Sequence, residues 1–293
     1  MSGALAISRR DGQWGLVPPA PPALGQLLCG RTAQAAASML PRLFNLCAAA
    51  QGMAARLSLG LPPAPDARAA LARDVLRDHV LALFITLPQA LGLTPRALPQ
   101  GWQMGRIAPA LWGGAQPVDL VKWLDRGAGL APVAHHVMRL FSDGHGQAPA
   151  LPFADADTID RAGALENSPA ARHADHPLMQ QAETAQGRGP LWRVLGRMLD
   201  AECAATGAMP APVLRADGIA LVPAARGVYA LRLLARNGVV TDVARVTPTD
   251  HMLAMGGSLR AALATTPDPA LARVIVAAHD PCLPVHWLEG ADA

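Results

Sequence analysis

The chain has 293 residues, 51% of them apolar but only 4% aromatic, with a formal net charge of +3 and 4 cysteines. That length supports one large core or two modest ones without staples, and an Ala-rich, aromatic-poor composition suits close-packed helices better than an aromatic sandwich. The positive charge is scattered arginine with Lys122 as the only lysine, so the clustered footprint of a nucleic-acid binder is missing. Four dispersed cysteines make no secreted disulfide framework and leave reduced thiols or metal ligands.

In chain order, residues 1–17 carry Arg9, Arg10 and Asp11 where the apolar stretch of a signal peptide would lie. The most apolar stretch, residues 80–93, is too short to span a bilayer and is interrupted by Pro88 and Gln89. A cytoplasmic protein without membrane insertion is the expectation. Residues 18–22 and 62–65 are proline-rich loops, and between them residues 30–60 read as a helix on each side of Pro41, with Cys47 on the second. After Asp66, a candidate N-cap, the spacing of Leu71, Val75, Leu76 and His79 predicts a helix over 67–87, ending near Pro88.

Residues 101–129 are broken by glycine and proline, and Trp102, Trp112 and Trp123 there are expected to cover the core. Helical spacing returns over 132–141. Residues 142–169 lack periodicity and read as a long loop or partly mobile insert. Over 176–205 the spacing of Leu191, Val194, Leu195, Met198 and Leu199 predicts helix with a break at 187–190. Two β-like runs, 227–235 and 239–246, flank Arg236-Asn237-Gly238, a strong hairpin signal. Helix resumes over 257–263 and 270–278 and leads into Asp280-Pro281-Cys282. The expected fold class is mainly α (α+β): one domain over 1–293, with a small antiparallel β-hairpin and 142–169 as a loop or insert. No repeat, Walker A loop, dinucleotide-binding glycine motif or nucleophile elbow is present, and His135, His136, His145, His173, His176 and His251 have no zinc spacing.

Four segments carry a resemblance. Arg42-Leu43-Phe44-Asn45-Leu46-Cys47-Ala48-Ala49-Ala50-Gln51 is similar to an Arg-x-Cys-Gly-x-Cys-x-x-x-His motif, with Phe44 replacing the first cysteine and Gln51 the histidine. Asp280-Pro281-Cys282-Leu283-Pro284-Val285-His286 is similar to Asp-Pro-Cys-x-x-Cys, with Val285 replacing the second cysteine. Between them, Pro223-Ala224-Ala225-Arg226-Gly227 resembles Glu-Ala-Pro-Arg-Gly, and Val246-Thr247-Pro248-Thr249 resembles Val-x-Pro-Thr/Ser after the hairpin. The arginine-rich stretch 193–202 also matches. In this order the motifs resemble the NiFe-hydrogenase large subunit, covering roughly the first sixty and last hundred residues around a shortened centre, and the lost cysteines point to its HupK/HoxV maturation relatives.

The resemblance implies a shortened helical large-subunit fold and a pocket at the motif ends of the chain. In the family, nickel is held by four cysteine sulfurs and shares two of them with an iron that carries two cyanides and one carbon monoxide. Here Cys47 and Cys282 are the implied metal ligands, with Arg226, Pro248 and Thr249 as the implied binding residues, the arginine and threonine donating to cyanide nitrogens. Two thiolates suit a low-spin ferrous centre already held by strong-field diatomics but deny nickel its sulfur set. The implied role is a non-catalytic scaffold that transiently binds the Fe(CN)2(CO) group, received from a HypC-type maturation chaperone, and passes it to the hydrogenase large-subunit precursor; nickel is not expected. The alternative is a metal-free pseudo-subunit acting as an interaction or protective chaperone. An active hydrogenase is disfavoured by Phe44 and Val285. The 7 residues after His286 are too short a tail to resemble the family's cleaved extension, so no processing is expected.

On residue grounds alone, plainer readings stand beside these. Cys47 is also a small buried hydrophobe in an Ala-rich helix. Arg226 is also a solvated residue at a strand start, and Thr249 a cap of the turn before Asp250. Cys29 and Cys203 match no ligand position and are expected to be inert core thiols, and His286 to be a surface residue. Without metal, Cys47 and Cys282 could also pair as a disulfide if the fold brings them close.

Overall fold

In the computed structural model, residues 3–44 and 46–288 are described. Strand β1 (Leu5–Arg10) turns through Asp11-Gly12, both at positive φ, into antiparallel β2 (Gln13–Val17). Helix α1 (Leu24–Leu28) is followed by α2 (Ala33–Met39), capped by Thr32, whose hydroxyl accepts the Ala35 N–H at 3.2 Å. Pro41 lies in the first turn of a 3-10 segment (Leu40–Arg42), and α3 (Ala48–Ser58) follows. Cys47 is not within a helix: it precedes α3 in the left-handed conformation, φ 55°. That kink turns the chain from the 3-10 segment onto a new axis.

The predicted helix over 67–87 is α4 (Ala67–Leu81), which runs through a π-helical turn (Ala82–Thr86) into α5 (Leu87–Ala90). Pro88 does not end it. The proline falls at the start of a fresh helical turn, where its missing N–H is least costly. Short helices α6 (Ala108–Trp112) and α7 (Leu120–Arg126) then bring Trp112 and Trp123 edge to face at 5.4 Å, both buried as expected.

Helix α8 (Ala131–Leu140) leads to a segment without helices that nonetheless buries Ile159, Glu166, Asn167 and Ser168. Ser168 caps α9 (Pro169–Arg172), and α10 (Pro177–Gln186) precedes α11 (Pro190–Thr206). Helix α11 is buried on nearly every face, packing against α4, α8, α9, α10 and α14 (Pro269–His279). Its charged residues, Arg193, Arg197 and Asp200, are therefore buried as well.

Gly196 allows this crowding: a Cβ there would lie 2.3 Å from the Ala170 Cα. Gly196→Ala gains about 1 kcal/mol of helix propensity but forces two backbones apart at about 3 kcal/mol, so a net destabilisation of about 2 kcal/mol is expected in chemical denaturation. A stabilised variant would sink this account.

The Asn237-Gly238 hairpin forms as predicted, between β5 (Gly227–Arg236) and β6 (Val239–Val246). It belongs to a larger sheet of order β3-β4-β5-β6, with β3 (Val213–Leu214) and β4 (Ala220–Ala224) before it. Residues 219–224 are a short continuous apolar run, which periodicity cannot assign to strand or helix. Pro223 is tolerated because β3 reaches only Ala220 and Leu221. Helices α12 (Pro248–Leu253) and α13 (Ser258–Ala264) precede α14. Strand β7 (Val285–Trp287) then adds parallel to β1, giving a second sheet, β2-β1-β7, which the sequence reading did not foresee. No helix among the described residues is long and apolar enough to cross a membrane. Residues 289–293, on which the processing expectation rests, and Asn45 of the front motif lie outside the described residues.

Candidate functional site

Four structural ends meet at one place: the N-terminus of α3, the C-terminus of α14, the tight β4–β5 turn and the first turn of α12. Cys47 sits at the first, its neighbour Ala49 donating its N–H to Asp74 of α4 at 3.0 Å. Asp280 ends α14 in the left-handed conformation, φ 51°, and so turns Pro281-Cys282 back toward Cys47. The two thiols lie close enough to shift each other's titration, and Cys47 is buried at 9% exposure. Both are free.

Arg226 occupies the turn between paired residues Ala224 and Gly227. Its Nη1 donates to Asp78 Oδ2 at 2.7 Å and contacts Cys47 Sγ at 3.7 Å, while Nε donates to the Asp280 carbonyl at 3.0 Å. Its Nη2 meets Asp280 Oδ2, also at 3.0 Å. The solvated-residue reading fails: the guanidinium is 6% exposed. Thr249 is buried just inside α12, where Thr247 and Asp250 form a reciprocal capping box. Thr247 is the cap, so the Thr249 hydroxyl is released to accept the Cys282 N–H at 2.9 Å. Pro248, also buried, occupies the first turn of the same helix.

These neighbours set the protonation of the pair. A hydrogen bond from Cys47, then Arg226 and Thr249, outweigh burial and push the Cys282 thiol down to about 7. Cys47, donating to that sulfur and buried, is pushed well up. The two thiols therefore titrate together and not as independent groups. Burial raises the Asp78 carboxyl, but Arg226 and Arg77 more than offset it and keep the group ionised.

Beside Cys47 a narrow cleft, without room for a water molecule, is lined by Ala50, Leu71, Val75, Asp78, Ala224 and Ala225 among others. Its wall is mostly apolar. Among the described residues no group of three or more His, Cys, Asp or Glu side chains is arranged to hold a metal ion.

Phe44 lies under the Arg245 guanidinium at 5.1 Å, and Val285 pairs with Leu5 in the terminal sheet, so neither replaced cysteine position offers a donor. Cys29 is exposed and so is not the core thiol expected, whereas Cys203 is half-buried and packs against the core. Cys29 stands just past the end of α1. His286 is exposed, as expected. Sequence reading missed Asp78, although it continues the Leu71 and Val75 stripe of α4, where a carboxylate on an inward face signals a buried partner.

Burial also holds His79, His251 and His279 below the ordinary histidine range. The unfolded chain takes up protons below about pH 6.5 where these folded imidazoles do not, so their stabilising contribution is complete above that pH and lost as pH falls. Each adds up to about 1.4 kcal/mol per pH unit to the slope. Denaturant midpoints are expected to fall between pH 6 and 5; a flat profile there contradicts the buried neutral imidazoles.

The architecture is that of the hydrogenase large subunit. The chain matches the Ni-Fe-Se hydrogenase of Desulfovibrio vulgaris Hildenborough in the reduced state at a TM-score of 0.60 and 13% identity, over 94% of both chains. The [NiFeSe]-hydrogenase of Desulfomicrobium baculatum matches with the same TM-score at 12% identity, over 94% of this chain and 95% of that one. No family model matches the sequence. Over 302 aligned positions, covering 100% of both chains, it is 47% identical to the hydrogenase expression/formation protein HupK of Rhodobacter capsulatus. The chain belongs to the HupK family.

Proposed function

We propose that this protein serves hydrogenase maturation as a non-catalytic scaffold that transiently holds the Fe(CN)2(CO) group between Cys47 and Cys282. The observation that supports this best is the meeting of one sulfur pair, and not two, with Arg226 and Thr249 and an apolar wall. Cyanide nitrogen carries negative charge and accepts strongly from a fixed guanidinium, whereas carbon monoxide accepts poorly and suits Leu71 and Val75. With two sulfurs a low-spin iron that brings its own strong-field ligands is satisfied; nickel is not. Two sulfurs also release cargo more readily than four, so transfer from a HypC-type chaperone through this chain to the large-subunit precursor runs downhill.

A metal-free pseudo-subunit that docks with or protects the maturing subunit is the second reading. It is favoured by the cleft being too narrow for water. Loading the iron group requires Asp74, Leu71 or Val75 to move aside. Infrared spectroscopy on protein isolated anaerobically with the maturation factors separates the two readings. The scaffold predicts cyanide and carbonyl stretches that vanish in Cys47→Ala and in Cys282→Ala. Bands that survive both substitutions reject the pocket, and a wild-type protein without bands turns the reading to the metal-free form. Stoichiometric nickel with dihydrogen oxidation would overturn both.

A further inference from the structure

Behind the pocket, Asp200 of α11 is wholly buried and accepts from three residues distant in sequence. Its Oδ1 takes Arg172 Nε at 2.9 Å and His173 Nε2 at 3.1 Å. Its Oδ2 takes Arg172 Nη2 and His79 Nε2, both at 2.7 Å. Arg172 and Asp200 thus meet in a two-pronged fork, the geometry that fixes a guanidinium plane.

Two arms leave this carboxylate. Arg172 Nη1 donates to the Gly227 carbonyl and Nη2 to the Ala224 carbonyl, each at 2.8 Å. These two carbonyls flank Ala225-Arg226 on both sides. Along the other arm, His79 Nδ1 faces Arg197 Nη1 at 3.1 Å, and the same Nη1 donates to Asp280 Oδ2 at 3.2 Å. Arginine only donates and a carboxylate only accepts, so His79 is neutral with its proton on Nε2. Asp280 Oδ2 in turn receives Arg226 Nη2. Both arms close on Arg226.

We propose that Asp200 and Arg172 are positioning residues of the pocket: Arg172, forked onto Asp200, clamps the carbonyls on either side of the Ala225-Arg226 turn and so sets the direction of the Arg226 guanidinium. Neither residue touches the cysteines or lines the cleft beside them. Asp78 and Asp280 hold the guanidinium at its far end, and the clamp fixes the backbone from which the side chain departs, so that the two together leave a single orientation. The use of that orientation for cargo rests on the scaffold reading above; the clamp itself does not.

The test uses the full chain with isotope-labelled arginine, following the Arg226 Nε–H resonance, identified by its loss in Arg226→Lys. Arg172→Lys keeps the charge but loses the fork and one carbonyl bond. The clamp predicts that Arg226 Nε–H exchange accelerates about tenfold or more, the equivalent of one lost hydrogen bond, while backbone amides of α11 keep their protection. Unchanged Arg226 exchange overturns the proposal, as does uniform loss of protection along α11, which marks mere destabilisation. If Arg172→Lys does not fold, Asp200→Asn, which keeps volume and one acceptor oxygen, is read by the same two signals. Infrared spectra give the second arm: Arg172→Lys shifts the cyanide stretches but retains them. Absence of any stretches in the wild type removes the cargo reading and leaves the exchange result to decide the clamp.

Discussion

Asp200→Ala lowers the free energy of unfolding by about 3–5 kcal/mol at pH 7, read as a drop in the denaturant midpoint. Burial alone would raise the Asp200 carboxyl, but the Arg172 guanidinium and the His173 and His79 donors hold it well below the usual carboxylate range. It is therefore ionised at neutral pH. Deleting it leaves the Arg172 Nε–H and the His79 and His173 imidazoles without their acceptor, and a buried guanidinium with two carbonyls but no counter-charge; that desolvation, more than the lost attraction, sets the size of the effect. The pair Arg232 and Asp242 is the internal contrast: at 3.1 Å it is also in contact, but its side chains are 34% and 51% exposed. Asp242→Ala is expected to change stability by less than about 1 kcal/mol. Equal losses at the two aspartates would mean that burial does not govern the network.

Asp200 also marks where sequence reading stops. His79 and Asp200 are 121 residues apart, and Arg197 and Asp280 are 83 apart. Helical spacing reports which face of α4 or α11 turns inward but not which inward charge meets which. The motif residues were legible because each lies at a chain reversal with its own local signature: a Pro-punctuated entry to α3, Asp-Pro after α14, Arg-Gly between strands, a Thr-Pro helix start. Cys47 was placed on the wrong side of its helix boundary because an Ala-rich run masks a left-handed residue. The terminal sheet was invisible because β7 pairs with β1 from the opposite end of the chain, and three residues of strand carry no periodicity of their own. The resemblance supplied the convergence of Cys47, Cys282, Arg226 and Thr249; Asp78, which neutralises Arg226, came only from the structure.

Gly227→Ala is the second large expected effect, about 3–5 kcal/mol, and it follows from two features of one residue. Gly227 has φ 142°, a region that residues with a Cβ avoid at about 1–3 kcal/mol. A Cβ there would stand 2.4 Å from Asn167 Oδ1 and 2.5 Å from the Asn167 carbonyl oxygen. That amide cannot simply retreat: its Oδ1 accepts the Val228 N–H at 2.7 Å and its Nδ2 donates to the Val228 carbonyl at 3.0 Å. Moving it leaves buried backbone groups unpaired at about 1–3 kcal/mol and drags Glu166, its neighbour, away from Arg193, which it meets at 2.8 Å. Gly218 separates strain from collision, since it has φ 83° and nothing within 4 Å of its Cβ position. Gly218→Ala therefore loses only about 1–2 kcal/mol. Because Gly227 directly follows Arg226, its alanine variant also turns the guanidinium, and under the scaffold reading any protein that still folds has shifted or missing cyanide stretches. Equal stability losses for the two glycine variants would show that the Asn167 bracket yields, and that Arg226 is not held in place through its neighbour.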